Sequence, residues 1–247
     1  MLPIILPEGR RLVFYLAAEE YFSQHAIPNS DGGFFLWQTR PTVIFGRHQV
    51  MENEVNIPYC EEHKIECYRR KSGGGCVYSD EGNLMLSYIS PSKHTQEVFQ
   101  EFLDKFCEAL RAMGLPAVSS SHNDVLVDGR KISGCACMLT SGGSIVHGTF
   151  LLASNVEALQ HAITPSQEKL QKHGVESVRQ RVVTVEELCK EKGLPRMTAK
   201  EIKKHLIGHF CNNCSLGYCP SPEEMAAIEA IEQTYLDPAF IRTPIAE

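Results

Sequence analysis

The residues best placed for chemistry are Arg69, Arg70 and Lys71, followed by Ser72 and the run Gly73, Gly74, Gly75. Each glycine costs about 1 kcal/mol of backbone entropy relative to alanine, so three in succession need a compensating reason. Close approach of a ligand to bare backbone is such a reason. Exposed amides beside Arg70 would form a concave site for phosphate or carboxylate, with the guanidinium able to hold two oxygens at once. A glycine-rich hairpin with a solvated basic flank is the alternative. The lysine precedes the glycines and no G-K-[ST] follows, so this is neither a Walker loop nor a G-x-G-x-x-G turn.

A second segment, NDVLVDGRKISGCAC, spans residues 123–137. Lys131 follows a turn at Asp128 and Gly129, a setting in which most lysines face solvent, but Ser133 and Gly134 beside it suit a second wall of an anion pocket. Asn123 and Asp124 could cap the turn or help hold magnesium. Cys135 and Cys137, close to Lys131, could supply a nucleophilic thiol or simply fill a core strand. His147, Gly148 and Thr149 lie within a strand-like run, where a bulge is the plain reading. Cys211, Cys214 and Cys219 would need His209 to complete a zinc site; a redox pair or free thiols are the other readings.

The elements that must position these residues follow from periodicity. Residues 11–25 place apolar side chains at helical spacing with Glu19 and Glu20 between them. FFLWQ and TVIFG read as two strands separated at Pro41. Residues 95–113 form an amphipathic helix that Gly114 ends. DVLVDGRKISG reads as strand, turn and strand, and SIVHGTFLL as another strand. Further helices are expected at 155–162, 184–191, 198–210 and 222–234. Strands and helices alternate irregularly, which predicts an α+β fold with mixed sheets and helices packed around them.

The chain has 247 residues, 43% hydrophobic, with a net charge of -6. This predicts a folded protein and argues against a nucleic-acid partner. The opening apolar run breaks at Glu8, Arg10 and Arg11, too early for a signal-peptide core or a membrane span, so a cytoplasmic location is expected. One compact domain over residues 1–247 is expected, with 195–247 as its helical C-terminal part.

Together, RRKSGGGCVYSDEGNL, NDVLVDGRKISG and HGTFLL resemble the glycine-rich, lysine and following-strand signatures of the lipoate-protein ligase A family, with its biotin/lipoate ligase catalytic fold. LAAEEYF, PTVIFGRHQVMENEVN and EKLQKHGVESVRQRV are similar too, in the same order. The resemblance implies ATP-dependent activation of lipoate or octanoate as an acyl adenylate, then transfer to a lysine of a lipoyl carrier domain. The carrier would belong to a 2-oxoacid dehydrogenase complex or be glycine-cleavage H protein.

By the same resemblance, Lys131 would be the catalytic lysine and Arg70 would grip phosphate. Ser72, Gly73, Gly74, Gly75, Cys76, Val77, Tyr78, Asn83, Asn123, Ser133, Gly134 and Thr149 would bind ATP or lipoyl-AMP. His147 and Gly148 would line the acyl tunnel, Asp124 would lie nearest Mg2+, and Ser177, Arg179 and Arg181 would close over the adenylate. Ser79 stands where the family often has histidine, and His48 where asparagine is usual. Many such ligases continue into a small accessory domain. None is expected here, so a separate accessory protein, or an acyltransferase acting without ATP through a cysteine thioester, is the alternative. Carrier domains of this class are often acidic, and Arg69, Lys71 and Arg130 would form a complementary basic face.

Overall fold

The computed structural model describes residues 1–120, 123–163, 182–214 and 216–245. A seven-stranded sheet runs in the order β1 (Leu2–Pro3), β2 (Gly33–Trp37), β6 (Asn83–Ser90), β10 (Ser144–Leu151), β9 (Arg130–Leu139), β8 (Asp124–Val127) and β7 (Ala117–Ser119). Its pairs are antiparallel except β1 with β2. A three-stranded sheet places β3 (Thr42–Phe45) between β4 (Glu66–Arg69), to which it is parallel, and the antiparallel β5 (Val77–Ser79). The two strands flanking Pro41 therefore fall in different sheets, consistent with an imino acid that cannot extend a ladder.

Every residue of β10 and all but the last of β6 are buried. Alternate side chains explain this. Leu84, Leu86 and Tyr88 join a core with Phe102 and Phe106 of helix α4 (Thr95–Ala112) and Phe210 of α7 (Ala199–Phe210). Met85 and Ile89 face the opposite way, onto α1 (Leu12–Gln24). Two helical layers thus sandwich the sheet, and each buried large apolar side chain contributes about 1.5–3 kcal/mol.

The remaining helices are α2 (Met51–Glu54), α3 (Ile57–Glu62), α5 (Val156–Ala162), α6 (Val185–Lys192), α8 (Pro222–Leu236) and α9 (Pro238–Arg242). Capping boxes at Thr184 with Glu187, Thr198 with Glu201, and Ser221 with Glu224 satisfy the first amides of α6, α7 and α8. Helix α1 departs from its sequence pattern. Glu19 is buried, because α1 lies between the sheet and α8 and has apolar neighbours around most of its circumference. No helix among the described residues is long and apolar enough to cross a membrane.

Candidate active site

The glycine-rich segment links β4 to β5, next to the loop that leaves β3. The two loops are in backbone contact: a Cβ at Gly46 would sit 2.1 Å from the Gly74 carbonyl oxygen. Gly74 has φ +90°, a conformation that side chains disfavour. The two arginines before the run do different work. Arg69 is fully buried, with Nη1 donating to the carbonyls of Gly46, Arg47 and Gln49, and Nε to those of Phe240 and Ile241.

Arg70 turns into its own loop. Nη2 donates to the carbonyls of Gly73 and Gly75, both at 2.7 Å, Nη1 to that of Ile44, and Nε to Ser72 Oγ at 3.1 Å. A trans peptide sets its N–H opposite its C=O, so the amides of Gly74 and Cys76 point away from the guanidinium. These hydrogen bonds all run to neutral acceptors. Burial lowers the Arg70 pKa to about 10, which leaves the side chain cationic at neutral pH.

The second wall is the hairpin of β8 and β9. Asp128 and Gly129 both take positive φ, as a two-residue turn of this kind requires. Beyond the turn, Lys131 Nζ lies 2.6 Å from Asp124 Oδ1, and the side chain is 37% exposed. Its carbonyl accepts from Val183 N–H, which pins the strand at that point. The lysine end lies against Gly134, where a Cβ would meet Nζ at 2.7 Å. Thr149 Oγ1 accepts from the Gly134 amide, and Asn123 Nδ2 donates to the Cys135 carbonyl.

One cavity of about 860 Å3 joins the two walls. Gly74, Gly75, Cys76, Val77 and Tyr78 line it with Arg70 on one side; Asn123, Asp124, Lys131 and Gly134 line the other. His147, Gly148 and Thr149 connect them, and Leu16, Ile44, Met85, Leu159 and Ile163 make part of the lining apolar. Cation, bare backbone and apolar surface in one cavity suit an amphipathic acid that becomes linked to phosphate.

The sequence matches the model of the lipoyl protein ligase A/B catalytic domain over residues 12–211. The chain belongs to that family. It is 36% identical over 206 residues to the lipoate-protein ligase LplJ of Bacillus subtilis (strain 168), covering 83% of this chain and 61% of that protein. It spans less than two thirds of the length of the curated relatives first matched. The fold is also that of solved lipoate ligases. A bi-partite lipoate protein ligase from Thermoplasma acidophilum, described with its E2 lipoyl domain, superposes with TM-score 0.83 at 22% identity, covering 100% of this chain and 97% of that one. A lipoate-protein ligase A bound with ATP gives 0.82 at 21% identity, covering 97% of each chain.

Within this lipoyl ligase-family fold, four residues expected at the site sit behind the cavity wall. Ser72 and Ser133 are buried, Gly73 lies on the outer side of the turn, and Asn83 ties strands together by donating to Ser79 Oγ and accepting from Phe150 N–H. His147 reaches the cavity with both ring nitrogens already engaged, Nδ1 by Glu19 and Nε2 by Ser72. Ser177, Arg179 and Arg181 lie outside the described residues.

The expected basic face is largely neutralised. Arg69 is buried, Lys71 pairs with Glu20, and Arg130 pairs with Glu191. His48 holds the Ile245 carbonyl through Nδ1. Cys211 packs into the core with its thiol pushed up to about 11 by burial, whereas Cys219 is exposed.

Leu16, Glu19, Ile44 and Glu54 lie in stretches that resemble the family, but nothing local marks them as site residues; packing places Leu16, Ile44 and Glu54 on the cavity and Glu19 behind it. Among the described residues there is no group of three or more side chains able to cage a metal ion. Apart from Lys131, however, buried Asp124 Oδ1 has no hydrogen-bond partner among them. A lone carboxylate fits magnesium shared with nucleotide phosphates better than a metal held by protein alone.

Proposed function

We propose that this chain, acting as a single catalytic domain with 195–247 as its helical part, activates lipoate or octanoate with ATP and transfers the acyl group to a carrier lysine. The observation that carries the reading is the cavity shared by Gly74 and Gly75 of the glycine-rich turn and Lys131. The names of the matched relatives support the acid, and the ATP-bound neighbour supports the nucleotide.

In the first step the acid's carboxylate oxygen attacks the α-phosphorus of ATP, and pyrophosphate leaves with the electrons of the broken P–O bond. Lys131, with the fixed charge of Arg70 behind the loop, would stabilise negative charge where carboxylate and phosphate converge. In the second step the carrier amine attacks the acyl carbonyl, and AMP leaves. Neutralising that amine from a pKa of about 10.4 costs roughly 4.6 kcal/mol at pH 7, a cost that a neighbouring cation lowers. Magnesium would neutralise phosphate charge, with Asp124 as its nearest protein ligand.

The thioester route is less well supported. Burial pushes the thiol of Cys135 up to about 12 and that of Cys137 up to about 11. Thiolate at either position is therefore rare at neutral pH.

The E2 lipoyl domain described with the T. acidophilum ligase supports a carrier of that class. We place the 2-oxoacid dehydrogenase lipoyl domains and glycine-cleavage H protein as acceptors, in the cytoplasm. The test is lipoate-dependent exchange of pyrophosphate into ATP, with and without a candidate accessory protein, followed by acylation of a purified lipoyl domain. No exchange under any of these conditions would overturn the reading.

A further inference from the structure

A polar chain crosses the core behind the cavity and ends on the glycine-rich turn. Glu19 is 2% exposed, and its carboxylate meets two side chains: Ser87 Oγ at 2.5 Å and His147 Nδ1 at 2.8 Å. His147 Nε2 lies 2.8 Å from Ser72 Oγ, which Arg70 Nε meets at 3.1 Å. On the other branch, Trp37 Nε1 lies 2.9 Å from Ser87 Oγ.

The chemistry of the two ends fixes the direction of the bonds that Trp37 and Arg70 make. An indole N–H and a guanidinium N–H can only donate. Ser87 therefore accepts from Trp37 and gives its proton to Glu19. Ser72 accepts from Arg70 and has one proton of its own, which His147 Nε2 can accept while Nδ1–H donates to Glu19. Each donor in this arrangement is used.

The order carboxylate, imidazole, hydroxyl matches that of a serine-nucleophile triad. Here the hydroxyl is 2% exposed, capped by Arg70 and absent from the cavity wall, so no substrate carbonyl can reach it. The chain instead ends at the guanidinium around which the carbonyls of Gly73 and Gly75 are folded.

We infer that Glu19 and His147 are positioning residues for the glycine-rich turn: through Ser72 they hold Arg70, and Arg70 holds the turn in the shape that presents its amides to the ligand. The effect on nucleotide rests on the ATP-activating reading above. The mechanical effect on the turn does not. Glu19→Gln replaces one of the two accepting oxygens by an amide that can only donate, so it weakens the chain at a residue in α1. Ser72→Ala breaks it at the loop end with the loss of one oxygen. Ser87→Ala removes one oxygen from the same carboxylate, on the branch that leads away from the turn.

The experiment compares amide hydrogen exchange in a peptide covering residues 72–78 with KM for ATP in the pyrophosphate-exchange assay. Glu19→Gln and Ser72→Ala should each speed exchange there about tenfold and raise KM about tenfold, and the double variant should be no worse than the worse single one. Ser87→Ala should lower Tm and leave both readouts near wild type. Unchanged exchange at 72–78 in folded Glu19→Gln would overturn the inference. So would loosening of the turn by Ser87→Ala equal to that by Ser72→Ala, a comparison that still decides if Glu19→Gln does not fold. If the wild-type chain shows no pyrophosphate exchange, the catalytic reading fails while amide exchange still judges the chain of contacts.

Discussion

Lys131 Nζ and Asp124 Oδ1 face one another at 2.6 Å on the cavity wall, from the two strands of one hairpin. Both side chains are about one third exposed, so the pair itself adds little stability. In the proposed function, each group is held by the other until a ligand replaces the partner. A carboxylate or phosphate would draw the ammonium away and leave Asp124 for a cation. Asp124→Asn should therefore raise the magnesium concentration needed for half-maximal pyrophosphate exchange and lower kcat by about tenfold or more, with Tm nearly unchanged. Unaltered magnesium dependence would remove Asp124 from that role.

Lys131→Ala should separate activity from stability more sharply. The side chain supports no core packing, and only its backbone carbonyl pins the segment at Val183. Losing one preorganised cation at a site of developing negative charge costs about 10²–10³ in rate. Adenylate formation should fall by that factor while the melting temperature moves by at most a few degrees. An active variant would mean that another group supplies the charge.

The two ends of the site are legible in the sequence because each carries a local signal. A glycine run beside Arg70 and a lysine after an Asp-Gly turn are recognisable without knowing the fold. Strands such as β6 and β10 are legible as apolar runs. The function of Arg70 is not, since a guanidinium next to glycines reads as a phosphate ligand, and only the fold turns it onto the carbonyls of Gly73 and Gly75. Glu19 is hidden for a similar reason. A glutamate within a helix reads as solvent-facing until the sheet packs on that side of α1 and meets it with Ser87 and His147. Asn83 and Ser133 share strand parity with the wall residues Met85 and Lys131, so alternation alone does not reveal that both sit behind the wall; at Ser133 a register shift between β8 and β9 intervenes.

Two glycines should respond differently to the same methyl group. At Gly134 the added Cβ meets Nζ and Cε of Lys131, at 2.7 and 2.8 Å, the mobile end of a long side chain. Gly134→Ala should push the ammonium aside, reducing kcat/KM about tenfold or more at small cost in stability. At Gly46 the Cβ meets the Gly74 carbonyl at 2.1 Å, which only a backbone shift can relieve. Gly46→Ala should lower stability by about 1–3 kcal/mol and raise KM for ATP as the turn is displaced. Thermal melts and exchange kinetics on both variants check the contrast, and equal Tm losses would show that Lys131 is less free to move than its exposure implies.

The thiol of Cys135 supplies a test that depends on pH. Its folded pKa is raised to about 12 from an ordinary value of 9.0, because burial disfavours the thiolate. The unfolded chain therefore releases this proton first as pH rises. Below pH 9 the thiol is protonated in both states and its full contribution is present. Between 9 and 12 the unfolded state binds fewer protons, and stability falls by up to about 1.4 kcal/mol per pH unit. Cys135→Ser removes this group, so its melting temperature should decline less steeply than wild type from pH 9 to 10.5. The same variant should keep adenylate formation and acyl transfer within several-fold of wild type at neutral pH, since a buried thiol is not the nucleophile in the ATP-dependent route. Abolished transfer from a pre-acylated carrier without ATP, in a protein that still folds, would instead establish Cys135 as the acyl-bearing residue.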